Sequence, residues 1–507
     1  MMTTKTATPL HSYLEQAGSD ANLAFVSYLA NLQQIASVNL PIARSIIQEL
    51  EDQRNNLKLI ASENFTSLAT QATMGNLLTD KYAEGFPGSR FYAGCDNVDD
   101  LESEACDQAC KLFDADHAYV QPHSGADANL IAFWAILQAR VGVPSLEAME
   151  ETNPAKLSRE DWNKIRHKMG NQRLLGLDYY SGGHLTHGYR QNVSAQFFDS
   201  YSYAVSKETG LLDYDEIEKQ ADEIEPLILL TGYSAYPRSI NFRRMREIAD
   251  KVGAVLMVDM AHFAGLVAGG VFEGDYNPMP FADIATTTTH KTLRGPRGGV
   301  VFCKSEFAEF VDKGCPMVIG GPLPQMMAAK AVAFTEANER DFKAYATKIV
   351  ANSKAMAQAA INEGLTIPTG GTDNHLMLID VTPFGLNGRQ AEGAVRECGI
   401  TLNRNSLPFD PNGPWYTSGL RVGTPAITTL GMGEDEMKEI AAIFKLILSN
   451  TKPKLLTKGA NAGKPSKVKY EMDEQARSEA QQRVSALLGH FVLYPELDLA
   501  FLKDSFC

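Results

Sequence analysis

Two short segments carry side chains that could act together on one small molecule. VDMAH (258–262) and TTTTHKTLRGPRGG (286–299) each run a strand-like stretch into an ionisable residue, Asp259 in the first and Lys291 in the second. Ligands of open α/β sheets bind outside the carboxyl ends of the strands, so both groups fall where a ligand would sit. A carboxylate facing a pyridine nitrogen keeps that nitrogen protonated, and a lysine of lowered pKa forms an imine with an aldehyde. Those are the two groups that pyridoxal 5'-phosphate requires. Arg297 and His290 lie close enough in sequence to lower the lysine pKa. Either residue alone reads as a helix cap or a surface lysine. Both at strand ends, beside Gly-Pro-Arg-Gly-Gly, point to the cofactor.

Three further motifs supply what such a ligand needs. QPHSGADAN (121–129) passes from a strand through Ser124-Gly125 into a helix, whose free N–H groups suit a phosphate, although Ser124 is also a good N-cap. SGGHLTHG (181–188) presents His184, an imidazole able to stack on a flat ring. YTSGLRVGTPA (416–426) sets Arg421 between apolar neighbours, where a guanidinium fork fits a carboxylate or forms a structural ion pair.

The elements that must position these groups alternate. Strands are expected at 118–122, 225–232, 254–260, 282–291, 298–304 and 376–381. Helices are expected at 124–140 (amphipathic), 241–253, 388–399 and near 434–448, and a long helical region begins in 320–342. Strands alternating with helices imply an α/β sheet covered on both faces. Pro41 stands near the start of a helix over 41–59, residues 1–40 read as a poorly anchored arm, and 60–97 as loop. Residues 141–173 show no strong pattern. Residues 451–470 read as a Lys-rich linker broken by Gly and Pro, and 471–507 as a helical tail. The expected organisation is an arm and helix (1–60), a large cofactor domain (61–325, with an insertion at 141–173), a small domain (326–450), and the linker and tail (451–507).

LIASENF (59–65), KYAEGFPGSRFYAG (81–94), HSGADAN, GGHLTHG, VDMAHFAGLVAGG (258–270), TTTTHKTLRGPRGG, GGPL (320–323), GGTDNHL (370–376) and SGLRVGTPA stand in the order found in the serine hydroxymethyltransferase family, which the chain resembles from about residue 45 to 448. The resemblance implies a fold type I, aspartate aminotransferase-like α/β architecture, with a mixed, mostly parallel sheet in the large domain and a smaller α/β C-terminal domain. It implies transfer of the serine hydroxymethyl group to tetrahydrofolate, giving glycine and 5,10-methylenetetrahydrofolate, through an external aldimine of pyridoxal 5'-phosphate. Residue by residue, Lys291 would carry the internal aldimine and Asp259 would hold the ring nitrogen. His184 would stack on the ring, and His262 would sit near its phenolic oxygen. Ser124, Gly125, Ala126 and Ser234 would cradle the phosphate, completed by Gly321 and by Tyr82 of a partner subunit. Arg421, Ser62 and Tyr92 would bind substrate, Glu84 would move a proton at its hydroxyl, and His290 would influence reaction specificity. Tyr179, Gly183, His184, Leu185, Asn374 and the Gly413-Pro414-Trp415 turn match folate positions. The chain departs from the family pattern at Phe91, where a tyrosine is usual, and at Tyr179 and Ser181.

Composition bounds the alternatives. With 507 residues, 47 basic against 61 acidic and a net charge of −14, the chain is long enough for several folding units and offers no large nucleic-acid surface. Its seven cysteines show no paired metal spacing and suggest a reduced, cytoplasmic setting, and no metal is expected. No signal segment or membrane span stands out, the best apolar stretch, 252–271, being interrupted by Asp259 and His262. The expected partners are serine, glycine and tetrahydrofolate, with a homodimer, or a homotetramer, sharing active sites. Folate-independent aldol cleavage or racemisation of amino acids is a neighbouring reading, and RNA binding by the Lys-rich segment a remote one.

Overall fold

Consecutive apolar residues, rather than alternating ones, build the central sheet. In a computed structural model that describes residues 8–458 and 462–507, seven strands run in chain order as β1 (His117–Tyr119), β2 (Arg173–Leu177), β3 (Asp199–Tyr203), β4 (Ile228–Gly232), β5 (Val255–Asp259), β6 (Ile284–Thr288) and β7 (Gly299–Cys303). Across the sheet the order is β1-β7-β6-β5-β4-β2-β3. Only β7 opposes its neighbours; every other pairing is parallel. Every residue of β4, β5, β6 and β7 is buried, which is why these strands read as unbroken apolar or threonine runs. β4 and β5 approach so closely that a Cβ on Gly232 would lie 1.9 Å from the Asp259 carbonyl oxygen, and its φ of +125° favours glycine.

The helix expected at 124–140 forms over Gly125–Leu137, but it is not amphipathic. Ala128, Ile131, Ala132, Phe133, Ala135 and Ile136 cover its circumference, since it packs between β6, β7 and the helix Ser305–Asp312. With the turns that continue it to Glu147 it is long and apolar enough to cross a membrane by composition, yet half of its most apolar stretch is buried within the protein. The segment 141–173 is more ordered than its pattern suggested, holding helices Val143–Glu147 and Arg159–Gly170 before β2 begins.

A second sheet of three antiparallel strands, β8 (Leu376–Asp380), β9 (Asn403–Asn405) and β10 (Gly419–Gly423), is ordered β8-β10-β9. Its core joins helices Gly388–Glu397 and Glu434–Ser449. The helix Arg340–Asn362 serves both cores, giving Phe342, Ala346 and Ile349 to the first and Met356, Ala357 and Ala360 to the second. The helix Pro324–Ala337 belongs with the first, through Met327, Phe334 and Ala337.

Two expectations fail at the chain ends. The N-terminal arm is anchored. Helices Pro9–Ala17 and Leu23–Asn55, the latter kinked at Asn39 just before Pro41, bury Phe25, Leu29, Leu32 and Ile47 against Leu497, Leu502 and Phe506. Residues 1–7 lie outside the described residues. The Lys-rich segment is a hairpin, β11 (Thr451–Leu455) and β12 (Pro465–Met472), followed by helices Glu474–His490 and Leu499–Phe506. Gln390 donates to the Ser466 and Lys469 carbonyls and Asn387 to that of Lys467, docking the hairpin on Gly388–Glu397. Residues 459–461 of the expected linker lie outside the described residues.

Candidate active site

A cavity of about 640 Å³ opens at the carboxyl edge of the large sheet and is closed on its far side by β9 and β10. The chain leaves β2 into Tyr179, β4 into Ser234, β5 into His262 and β6 into His290 and Lys291, and all five residues line the cavity. Ser62, Gly183, His184, Leu185, Arg297, Pro414 and Arg421 are also among its lining residues.

Lys291 lies three residues beyond β6, held by its backbone: its carbonyl accepts from Asn64 Nδ2 at 3.0 Å. Its Nζ makes no hydrogen bond among the described residues. Burial pulls its pKa down to about 8, against the opposing attraction of Asp259 and with help from Arg421 and Arg297. A fraction of the side chain is therefore the free amine near neutral pH.

Asp259 closes β5 and is buried. One carboxylate oxygen accepts from Asn129 Nδ2 at 2.9 Å and faces His187 Nε2 at 3.3 Å; the other accepts from the Ala261 amide at 3.0 Å. Burial alone would raise its pKa, but the His187 contact, the two nearby imidazoles and Asn129 carry it below the ordinary carboxylate range. Asn129 is itself fixed by Thr286 Oγ1, which donates to its Oδ1 at 2.5 Å, and Asn129 Nδ2 also reaches Thr186 Oγ1 at 2.7 Å. Thr186 in turn meets His184 Nδ1 at 2.7 Å, so ring-stacking candidate and carboxylate share one network. Burial lowers the His184 pKa to about 4, leaving a neutral imidazole.

Arg421 sits mid-strand on β10. Its Nε donates to Asn403 Oδ1 at 3.1 Å and Nη1 to the Ser234 carbonyl at 2.7 Å. Burial lowers its pKa to about 10, still a cation at neutral pH, and Nη2 is free of hydrogen bonds among the described residues. His262 Nδ1 meets His375 Nε2 at 3.2 Å, with rings 27° apart in plane. Burial first, then Lys291 and Arg421, holds both rings neutral, His375 at about 3. His375 Nδ1 and His290 Nδ1 are buried without partners. These arrangements fit a pyridoxal group: a free amine, a carboxylate kept ionised, and unfilled donors and acceptors around one concavity.

Ser124 caps the helix Gly125–Leu137, its Oγ accepting from the Asp127 amide at 3.2 Å, so the amides of Gly125 and Ala126 have no intrahelical acceptor. A Cβ on Gly125 would lie 2.7 Å from Thr288 Cγ2, which keeps this turn tight against β6. Ser124–Ala126 and Asp259 are not among the residues that line the cavity, Asp259 being buried and Ala126 exposed. Asn374 is fully buried, its amide donating to Tyr233 Oη and the Tyr236 carbonyl, so the structure places it behind the wall rather than in it. Gly413–Tyr416 form one short helical turn, with Pro414 on the cavity and Trp415 projecting to solvent.

Tyr82, Glu84, Tyr92 and Gly321 do not line this cavity. They gather elsewhere: Tyr92 Oη donates to Glu84 Oε2 at 3.1 Å, the rings of Tyr82 and Tyr92 meet edge to face, and Gly321 abuts Tyr82. Arg90 holds this loop, donating to the Ala83 and Gly85 carbonyls and pairing with Asp99 and Glu102.

Sequence reading missed His187, Asn129, Thr286 and His375. All four stood inside quoted motifs (HLTHG, GADAN, TTTTHK, DNHL), but only packing reveals which of two histidines faces the carboxylate.

The serine hydroxymethyltransferase family profile matches residues 35–152 and 167–444. A serine hydroxymethyltransferase of Treponema pallidum is 61% identical over 498 residues, 98% of this chain and 86% of its own length. Those of Salinispora tropica and Cutibacterium acnes are 55% and 53% identical, each alignment covering 94% of this chain and 99% and 96% of theirs. The unmatched interval 153–166 falls inside the segment expected to be an insertion, while the Treponema alignment takes in nearly the whole chain. The chain belongs to the serine hydroxymethyltransferase family.

Proposed function

We propose that this enzyme holds pyridoxal 5'-phosphate through Lys291, Asp259, His184 and the Ser124 turn, and with it passes the serine hydroxymethyl group to tetrahydrofolate, giving glycine and 5,10-methylenetetrahydrofolate. When bound, the cofactor supplies an electron-accepting ring conjugated to the substrate nitrogen. The residues do the rest. Asp259, kept ionised by His187 and Asn129, holds a proton at the ring nitrogen. His184 would stack on the ring, and neutral His262, braced by His375, would stand near its phenolic oxygen. Arg421 takes the amino-acid carboxylate on the guanidinium edge left free by Asn403 and Ser234, with Ser62 beside it. Lys291, poised near pKa 8, accepts or returns a proton at the substrate Cα. His290, beside the lysine and unpartnered at Nδ1, would influence reaction specificity.

Tetrahydrofolate enters between Tyr179, Gly183 and Leu185 on one side and the Gly413-Pro414-Trp415 turn on the other, and Asn374 fixes the Tyr233–Tyr236 segment behind it. Holding both reactants in one cavity makes the transfer effectively intramolecular. Glu84, with Tyr92 and Tyr82, reaches the cavity of a partner subunit, where it moves the proton of the substrate hydroxyl. The working unit is therefore at least a homodimer, placed in the cytoplasm with its seven cysteines free.

The observation that carries this reading is the joint placement of a free Lys291 amine and an ionised Asp259 at the carboxyl edge of the large sheet, with Arg421 facing them from β10. Its test is the visible absorption of purified protein. A yellow band absent from Lys291→Ala, with serine cleavage accelerated by tetrahydrofolate, is expected. A colourless protein that cannot be reconstituted, or cleavage indifferent to tetrahydrofolate, would overturn it.

A further inference from the structure

A second buried lysine lies behind the cofactor site. Lys330, on the helix Pro324–Ala337, is 2% exposed, and burial lowers its pKa to about 7. An ammonium has three donors, and all three are used: Nζ donates to the carbonyls of Val120 at 2.5 Å, Pro122 at 2.9 Å and Gly299 at 3.0 Å. No carboxylate hydrogen-bonds it. Burying a cation is costly, and here every direct hydrogen-bond partner is a backbone carbonyl, with Glu102 and Asp127 attracting the charge from beyond hydrogen-bond reach.

Those three carbonyls are not scattered. Val120 and Pro122 bracket Gln121 on the path from β1 to Ser124, and Gly299 opens β7, its amide donating to the Pro122 carbonyl at 3.0 Å. In a trans peptide the N–H points opposite to the C=O. Turning the Val120 and Pro122 carbonyls onto Lys330 therefore turns the following amides away from it, and the turn into Ser124–Ala126 is set from behind. The packing here is close: a Cβ on Gly298 would lie 2.4 Å from Lys330 Cε, and one on Gly299 would lie 2.3 Å from the Ser124 carbonyl oxygen.

We propose that Lys330 is a positioning residue that pre-forms the phosphate cradle at Ser124–Ala126 by clamping the Val120, Pro122 and Gly299 carbonyls. The inference rests on the assignment of that turn to the cofactor phosphate. It deepens that reading by naming what orders the turn before any ligand arrives.

The test separates phosphate recognition from general damage. Dissociation constants for pyridoxal 5'-phosphate and for unphosphorylated pyridoxal are measured on the full chain by absorbance titration of the cofactor-free form. In Lys330→Met and Lys330→Gln the affinity for the phosphorylated compound should fall by about tenfold or more, the size of one lost charge-assisted hydrogen bond. Pyridoxal affinity should change much less. A role in stability alone would weaken both compounds equally, and an unchanged phosphate-to-pyridoxal ratio overturns the proposal. If the unaltered protein shows no preference for the phosphorylated compound, the cradle assignment itself fails, which Ser124→Ala would report independently. Should neither variant fold, hydrogen exchange on the unaltered chain decides. The amides of Asp127 and Ala128, which donate to Ser124, should already exchange slowly without cofactor; protection there only on cofactor addition would sink the clamp.

Discussion

Lys291 and Arg421 are two cations drawn out of bulk water at the same cavity, and burial acts on them with different consequences. Lys291 drops to about 8, so its charge is switchable; Arg421 drops only to about 10, so its charge is not. The rate at which added pyridoxal 5'-phosphate gains its bound absorbance should therefore rise with pH to a plateau, with a midpoint near 8. A flat profile from pH 6 to 10 would show that Lys291 is not the attacking amine. Linkage gives a companion sign. The folded pKa is below the free value of about 10.4, so the cofactor-free protein carries the full burial penalty below pH 8 and regains stability as pH rises between the two. For Arg421 the geometry of the fork matters as well as the charge, because Nε and Nη1 are tied to Asn403 and Ser234. Arg421→Lys keeps the charge and loses the fork, so the serine KM should rise by a factor of about 30 or more. An unchanged KM in steady-state assays would remove Arg421 from carboxylate binding.

At the scale of elements, legibility tracked where each element finds its partners. β4, β5 and β6 were readable because burial on both faces leaves uninterrupted apolar or threonine runs, and Asp259 ending such a run is conspicuous. The same double burial misled at Gly125–Leu137: a helix enclosed all round has no polar stripe, so only its existence could be read. His187 was invisible as a partner of Asp259 because 72 residues and two strands separate them. The hairpin β11–β12 reads as a broken linker, since its order comes from Asn387 and Gln390 on a distant helix rather than from its own lysines. The arm offers the longest case. Arg54 donates to the carbonyls of Leu493, Tyr494 and Leu497, and Tyr13 and Phe25 each meet the ring of Phe501, contacts across more than 400 residues. Leu502 is fully buried in this junction. Leu502→Ala should cost about 2–5 kcal/mol in urea unfolding while leaving bound-cofactor absorbance intact in the native baseline. A loss below about 0.5 kcal/mol would mean that the tail does not hold the arm.

For the whole molecule, the net charge of −14 describes the surface and not the site, where Lys291, Arg297 and Arg421 line one cavity. The same separation of surface from site appears in where Glu84 lies. It is absent from its own chain's cavity wall, yet its loop is clamped by Arg90 to Asp99 and Glu102, with Tyr82, Phe91 and Tyr92 exposed by 58%, 66% and 45%. A rigid loop that holds three aromatics in water needs a surface to cover them, and a two-fold dimer would deliver Glu84 to the other subunit's cavity. Complementation tests this directly. Lys291→Ala and Glu84→Gln should each be nearly inactive. In a dimer with shared sites, one cavity of the mixed pair combines an intact Lys291 with an intact Glu84, and the other collects both defects. Dissociating and reassociating equal amounts should therefore restore about one quarter of the unaltered activity, since about half the dimers are mixed and each has one good site. If each cavity draws Glu84 from its own chain, every site in the mixture keeps a defect and no activity returns.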